Sequence, residues 1–238
     1  MKVKAWLDGD EIDLEDLVDL LPDGDIRVAK DDDGYYLSAT KIDNRPAGVP
    51  YYEAARDVVR TVNGLGRAHN PGFRAVRLNG RYQDGDRKAT VVIVGTAEAR
   101  LGAFRAKAVG RVTRPDGTVL PPPPPPGPRR AALAATHPDV AEALALMGQP
   151  TPLGWVELYK VYEIVRDAVR PTKLEKSGLA TKAELKAFTG SANRPDVSGA
   201  DARHARPDGA LPPTRTMTLP QGRQFIGDLV CAWLDSLA

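Results

Sequence analysis

The sequence of 238 residues contains one cysteine, Cys231, which excludes an internal disulfide and a zinc site built from several cysteines. A chain without disulfides is typical of a reducing compartment, so we expect a cytoplasmic location. The sequence also lacks an apolar stretch of about 20 residues, the length that a membrane-spanning helix requires. No apolar run follows the first residues, and we therefore expect neither a signal peptide nor a membrane partner.

The chain has little excess charge of either sign. Its formal net charge is +2, which by itself does not predict nucleic-acid binding. The distribution is uneven, because residues 1–33 hold twelve acidic and four basic side chains, whereas residues 56–114 hold thirteen basic and four acidic ones. Two interpretations follow: the acidic start packs near the basic stretch, or residues 56–114 form an anion-binding face.

Catalytic motifs of high specificity are missing as well. The sequence has no phosphate-binding Gly-x-x-x-x-Gly-Lys-Ser/Thr loop, no His-Glu-x-x-His zinc helix and no Gly-x-Ser-x-Gly nucleophile turn. Its three histidines, His69, His137 and His204, lie in three separate segments. We therefore expect no metal site and no cofactor.

A proline tract divides the chain. Residues 121–126 are six consecutive prolines, followed by Gly127 and Pro128. Because proline has a fixed φ and no amide donor, neither a helix nor a central strand can continue through this run. Such a tract is typical of a stiff polyproline spacer. We predict an α+β protein with a first domain over 1–118, a proline-rich linker over 119–130 and an all-helical domain over 131–238.

The first of these ranges is predicted to be a mixed α/β domain with an antiparallel sheet. Apolar residues at helical spacing predict helices over Asp13–Leu21 and Tyr51–Val62, the second ended by Asn63-Gly64. Alternating and β-branched runs predict strands, separated by turns such as Asn79-Gly80. These strands are Lys2–Leu7, Ile26–Ala29, Tyr35–Thr40, Phe73–Leu78, Thr90–Val94 and Phe104–Val112.

The last range is predicted to be helical. Helices are expected over His137–Met147 and Trp155–Val169. A third helix is expected to start at a capping box formed by Thr181 and Glu184, and a fourth runs from Thr218 to the end. We expect the aromatic stripes of the Trp155–Val169 and Phe225–Leu237 segments to pack together, since neither can bury its stripe alone. A long irregular segment, 190–217, separates the last two helices. Segments of this length in a compact domain are functional or disordered.

This segment concentrates polar residues that can act on phosphates. It carries Asn193, Arg194, Arg203, His204 and Arg206. Arginine binds phosphate in a bidentate manner, and histidine can transfer a proton near neutral pH. Three interpretations remain open: binding of an anion, metal-independent RNA cleavage with His204 as general acid/base, or a structural role in which these groups satisfy the loop backbone.

The layout of residues 151–238, with an Arg- and His-bearing segment before a final helix, resembles the HEPN superfamily of bacterial ribonucleases and nucleic-acid-associated modules. The hallmark of that superfamily is an arginine followed by histidine after four to six residues. His204 matches the histidine, but Ser198 and Gly199 stand where the arginine would be. The resemblance therefore implies a binding module more than an active nuclease.

These observations together favour a non-enzymatic regulatory or interaction protein of bacterial type. Its helical domain would bind an anionic partner, either RNA or protein, through Asn193, Arg194, Arg203 and Arg206. The alternative is a metal-independent ribonuclease that uses His204.

Overall fold

The computed structural model of the protein describes residues 2–90, 123–206 and 215–238. The strands are β1 (Val3–Asp8), β2 (Ile26–Asp31), β3 (Gly34–Ala39), β4 (Arg77–Asp84) and β5 (Arg87–Thr90). The helices before the proline tract are α1 (Glu11–Leu20), α2 (Thr40–Asp43) and α3 (Tyr51–His69). Those after it are α4 (Gly127–Thr136), α5 (Pro138–Met147), α6 (Trp155–Ala168), α7 (Lys182–Asn193), α8 (Pro195–Ser198) and α9 (Leu219–Leu237).

The described strands form one antiparallel sheet in the order β2-β3-β1-β4-β5, and the predicted α+β fold class is confirmed. The odd-numbered residues of β1, among them Val3, Ala5 and Leu7, face the core, as the alternation of a strand requires. The β2–β3 turn uses Gly34 at φ +121°, and the carboxylate of Asp31 accepts a hydrogen bond from the amide of Asp33 at 2.9 Å. Such side-chain bonds are typical of aspartate in turns.

Two predicted boundaries, at Asn79-Gly80 and at Asn63-Gly64, are wrong because the elements continue through them. Strand β4 runs through Asn79-Gly80, because the pairing with β1 shifts register between Ala5 and Leu7, and Gly80 adopts φ +89° in this irregularity. Helix α3 runs through Asn63-Gly64 to His69. The buried amide of Asn63 donates to the carbonyl of Val76 and accepts from its amide, both at 2.9 Å. Asn63 thus ties α3 to the chain that enters β4. The predicted strand Phe104–Val112 lies outside the described residues.

Helix α3 connects the sheet to the helices that follow the proline tract. It packs on α4, α5 and α9, and its residues belong to one core cluster that includes both sheet and helical residues. The buried guanidinium of Arg67 on α3 donates to the carbonyls of Met147 at 2.6 Å and Thr151 at 3.1 Å. The division into domains 1–118 and 131–238 remains a prediction, but the two ranges share a core.

The predicted linker 119–130 ends in residues that are helical in the structure. Residues 127–130 form the first turn of α4, in which Pro128 lies where a helix tolerates proline. The side chain of Arg130 is buried and forms two hydrogen bonds with the carboxylate of Asp235 on α9, at 3.0 and 2.8 Å. The start of α4 is therefore fixed to the last helix.

The predicted packing of α6 on α9 is confirmed. Phe188 of α7 lies at the centre of an aromatic cluster with rings from α6 and α9: Trp155, Tyr159, Tyr162 and Phe225. Both predicted helix starts have capping boxes, Thr181 with Glu184 and Thr218 with Gln221. These caps and the cluster place α6 and α7 side by side.

The acidic start of the chain does pair with part of the basic stretch. Arg74 forms an ion pair with Asp10 at 3.1 Å, and Arg77 approaches Asp8 at 3.9 Å. Among the described helices, none has both the length and the apolar character needed to cross a membrane.

Candidate functional site

The segment that follows α7 is more ordered than its sequence predicts. Helix α7 continues to Asn193, and the short helix α8 and a 3₁₀ turn (Gly199–Asp201) follow it. The end of α7 anchors this segment, because the hydroxyl of Ser198 donates to the carbonyl of Ser191 at 2.6 Å and the amide of Arg203 donates to the carbonyl of Ala192 at 2.7 Å. The backbone at Arg203 is therefore held in a fixed position beside α7.

Arg194 is placed for a structural role. Its side chain is only 9% exposed, and its guanidinium forms a bidentate pair with the carboxylate of Asp196, at 3.0 and 2.9 Å. The hydrogen bond from Arg194 lowers the pKa of Asp196, so this pair is fully charged at neutral pH. The pair fixes the start of α8, and the structure does not present this guanidinium to solvent.

Arg203 is brought together with Asn193 and with two residues of α6. The guanidinium carbon lies 4.2 Å from the centre of the Tyr159 ring, a cation–π contact. Nη1 donates to Oδ1 of Asn193 at 3.5 Å, and Nη2 lies 3.9 Å from a carboxylate oxygen of Glu163. About a third of the Arg203 side chain is exposed. His204 and Arg206, which follow it, are exposed residues.

A second arginine, Arg166, also lies near a tyrosine ring of α6, that of Tyr162. Its guanidinium lies 5.6 Å from the Tyr162 ring centre, and its Nη2 lies 3.8 Å from the same Glu163 oxygen that Arg203 approaches. The two tyrosine rings are neighbours, with centres 5.3 Å apart. We call the set Tyr159, Tyr162, Glu163, Arg166 and Arg203 the arginine–tyrosine surface.

Sequence reasoning missed four members of this surface as functional candidates, namely Tyr159, Tyr162, Glu163 and Arg166. It assigned Tyr159 and Tyr162 to the apolar stripe of α6, and it did not name Arg166. The available signal was the four-residue spacing of Tyr162 and Arg166, which places both side chains on one helix face. Burial raises the pKa of the Tyr162 phenol, and Arg166 opposes this shift.

Elsewhere, the described residues border two shallow cavities. One, of about 360 Å³, lies between α1 and the end of α3 and is lined by Asp16, Asp19 and His69. The other, of about 240 Å³, lies between the starts of α7 and α9 over Phe225 and Leu229. Within the described ranges, no three His, Cys, Asp or Glu side chains are grouped to hold a metal ion.

Comparison of the chain with protein families, with curated proteins and with solved structures found no match. The function is therefore argued from the site alone.

Proposed function

We propose that this protein is a non-enzymatic RNA-binding protein of regulatory or interaction type, and that RNA contacts the arginine–tyrosine surface together with His204 and Arg206. The observation that carries the proposal is the guanidinium of Arg203, held over the Tyr159 ring while about a third of its side chain is exposed. Arginine is the preferred residue for bidentate recognition of phosphate.

The charge of the surface supports an anionic partner. Arg166 and Arg203 share a single carboxylate, that of Glu163, and Arg166 has a second acidic neighbour in Asp167 at 3.2 Å. His204 and Arg206 add exposed nitrogen donors beside Arg203. Phosphates could displace the long 3.8–3.9 Å contacts to Glu163 at little cost, because partly exposed ion pairs contribute little stability.

RNA is favoured over an acidic protein because the guanidinium of Arg203 lies over the Tyr159 ring and that of Arg166 lies beside Tyr162. A carboxylate requires only the charge and the N–H groups, whereas RNA also offers bases that stack on planar groups. Paired planar groups on one surface are typical of single-strand binding. The resemblance of residues 151–238 to the HEPN superfamily agrees with this proposal and remains a prediction.

Binding is favoured over cleavage because of where Arg194 lies. A ribonuclease site built on His204 needs cations that hold the reacting phosphate within hydrogen-bond reach of the imidazole. The guanidinium of Arg194 is paired with Asp196. Cleavage by His204 is therefore the alternative function, and the RNA-binding experiment below distinguishes it from binding alone.

The test is fluorescence anisotropy with a labelled single-stranded RNA of about 12 nucleotides, a length within the site size of single-strand binders. Wild type should bind, and Arg203→Ala should weaken binding about tenfold, the worth of one charge-assisted contact. The matched control is Arg56→Ala, which removes an exposed arginine of α3 and should leave the affinity unchanged.

His204→Ala separates the two functions. It should alter binding little if the protein only binds, whereas RNA cleavage that persists in EDTA and falls about 10²–10⁴-fold in this variant would establish the ribonuclease. If wild type neither binds nor cuts RNA but binds an acidic protein through Arg203, the partner class is wrong. If Arg203→Ala changes only thermal stability, the surface is structural and the proposal fails.

A further inference from the structure

We infer that Arg203 receives an unpaired nucleobase on the face of its guanidinium opposite Tyr159, so that the surface selects single-stranded over double-stranded RNA. This inference rests on the proposed function and specifies its ligand. A guanidinium is planar, and the central carbon of this one lies 4.2 Å from the centre of the Tyr159 ring, so a flat ligand that stacks on Arg203 would approach from the side away from Tyr159. About a third of the side chain is exposed, which allows such an approach.

The position of this guanidinium is set before any ligand arrives by the backbone of Arg203, whose amide donates to the carbonyl of Ala192 at 2.7 Å, and by the contact with the Tyr159 ring. The longer contacts with Asn193 at 3.5 Å and Glu163 at 3.9 Å add weak restraints that a ligand can displace. Tyr159 and Glu163 are four residues apart on α6 and therefore share a face. A side chain restrained in this way loses little rotamer entropy on binding, which increases affinity without a new contact.

The neighbouring Arg166 extends the surface to a second planar group. Both arginines place a nitrogen within 4 Å of the same Glu163 oxygen, so these two nitrogens are within about 8 Å of each other. Two adjacent planar groups suit two successive bases of a single strand, since single-strand binders stack successive bases on neighbouring side chains.

A duplex cannot stack an unpaired base on the guanidinium of Arg203. In A-form RNA each base is covered on both faces by its neighbours, and only phosphates, 2′-hydroxyls and base edges remain accessible. The same surface would meet a duplex through phosphate contacts alone, which Lys would make as well as Arg. The planar face of Arg203 is therefore the property that distinguishes the two ligands.

The experiment compares Arg203→Lys with wild type, because lysine keeps the charge and loses the planar face. The probes are fluorescein-labelled A12, an RNA duplex of the same length and an abasic oligonucleotide that offers only the sugar-phosphate chain. Wild type should bind A12 about tenfold more tightly than the other two, the fold-change of one base stack. Arg203→Lys should lose this preference and keep its affinity for the abasic chain.

A second measurement is independent of the variant's stability. A 2-aminopurine placed in the single strand should be quenched on binding to wild type, as stacked bases are. Equal affinity of wild type for A12 and duplex, an Arg203→Lys variant that matches wild type on A12, or 2-aminopurine that stays bright would each overturn the inference. Failure of the proposed function is distinct, because wild type would then bind none of the three probes.

Discussion

The backbone of Gly64 in α3 lies directly against the carbonyl oxygen of Leu144 in α5, closer than a Cβ atom would permit. This contact joins a helix that precedes the proline tract to one that follows it. In an exposed helix interior, glycine to alanine usually stabilises by about 1 kcal/mol. Here we expect the opposite sign: Gly64→Ala should lower the free energy of unfolding by about 1–3 kcal/mol, as overpacking does. Urea denaturation measures this change in the free energy of unfolding.

The matched control for that substitution is Gly72→Ala. A Cβ at Gly72 would meet only the side-chain oxygen of Asn70, at 3.3 Å, which can move away. We expect a change within about 0.5 kcal/mol. A Gly64→Ala variant that is as stable as this control would show that α3 and α5 do not approach as closely as described.

The contacts of Arg67 predict that the segments before and after the proline tract unfold together. Burial first, and the nearby charge of Arg223 second, lower the pKa of its guanidinium to about 10, yet it donates to the carbonyl of Met147 at the end of α5 and to that of Thr151 in the segment that follows. Arg67→Ala should destabilise by about 1.5–3 kcal/mol, the worth of a hydrogen bond from a charged group. Circular dichroism and tryptophan fluorescence should follow one transition in both proteins. Two separate transitions in wild type would contradict the shared core.

Local patterns predicted most of the elements, and tertiary contacts explain the misses. The capping box at Thr181, the start of the last helix near Thr218 and the packing of α6 on α9 were predicted correctly, because caps and amphipathic stripes are properties of a few neighbouring residues. Asn63-Gly64 has the composition of a helix end, but the amide of Asn63 binds Val76 and Gly64 admits α5. Neither partner can be found from local sequence.

The candidate site was likewise predicted in part, where local sequence was sufficient, and missed in part. The sequence prediction grouped Asn193 with Arg203, and the structure places these two side chains in contact. It could not show that Arg194 is bound by Asp196 only two residues away, nor that Arg203 meets Tyr159 across the space between α7 and α6. The first contact depends on the local turn at the start of α8, and the second depends on how α6 and α7 pack.

The ion pair between Arg130 and Asp235 predicts that the free energy of unfolding depends on pH. Hydrogen bonds from Arg130 lower the pKa of Asp235, and burial opposes them. A carboxyl group with a lowered folded-state pKa stabilises the protein above its ordinary value of about 4, and this contribution disappears as the pH falls through the folded-state value. Wild type should thus exceed Asp235→Asn in stability at about pH 7, and the difference should shrink at about pH 3.

Urea titrations of both proteins at the two pH values check this prediction. Other carboxyl groups titrate equally in wild type and variant, so the difference between the two proteins isolates Asp235. A difference that is the same at both pH values would mean that Arg130 does not perturb this carboxylate.

The salt dependence of RNA binding tests the central claim most directly. Each phosphate contact with a single strand contributes about −0.7 to the slope of log K against log salt concentration. Removing both arginines, in Arg166→Ala/Arg203→Ala, should therefore reduce the slope by about 1.4, while Arg56→Ala leaves it at the wild-type value. A double variant with the slope of wild type would contradict RNA binding at the arginine–tyrosine surface.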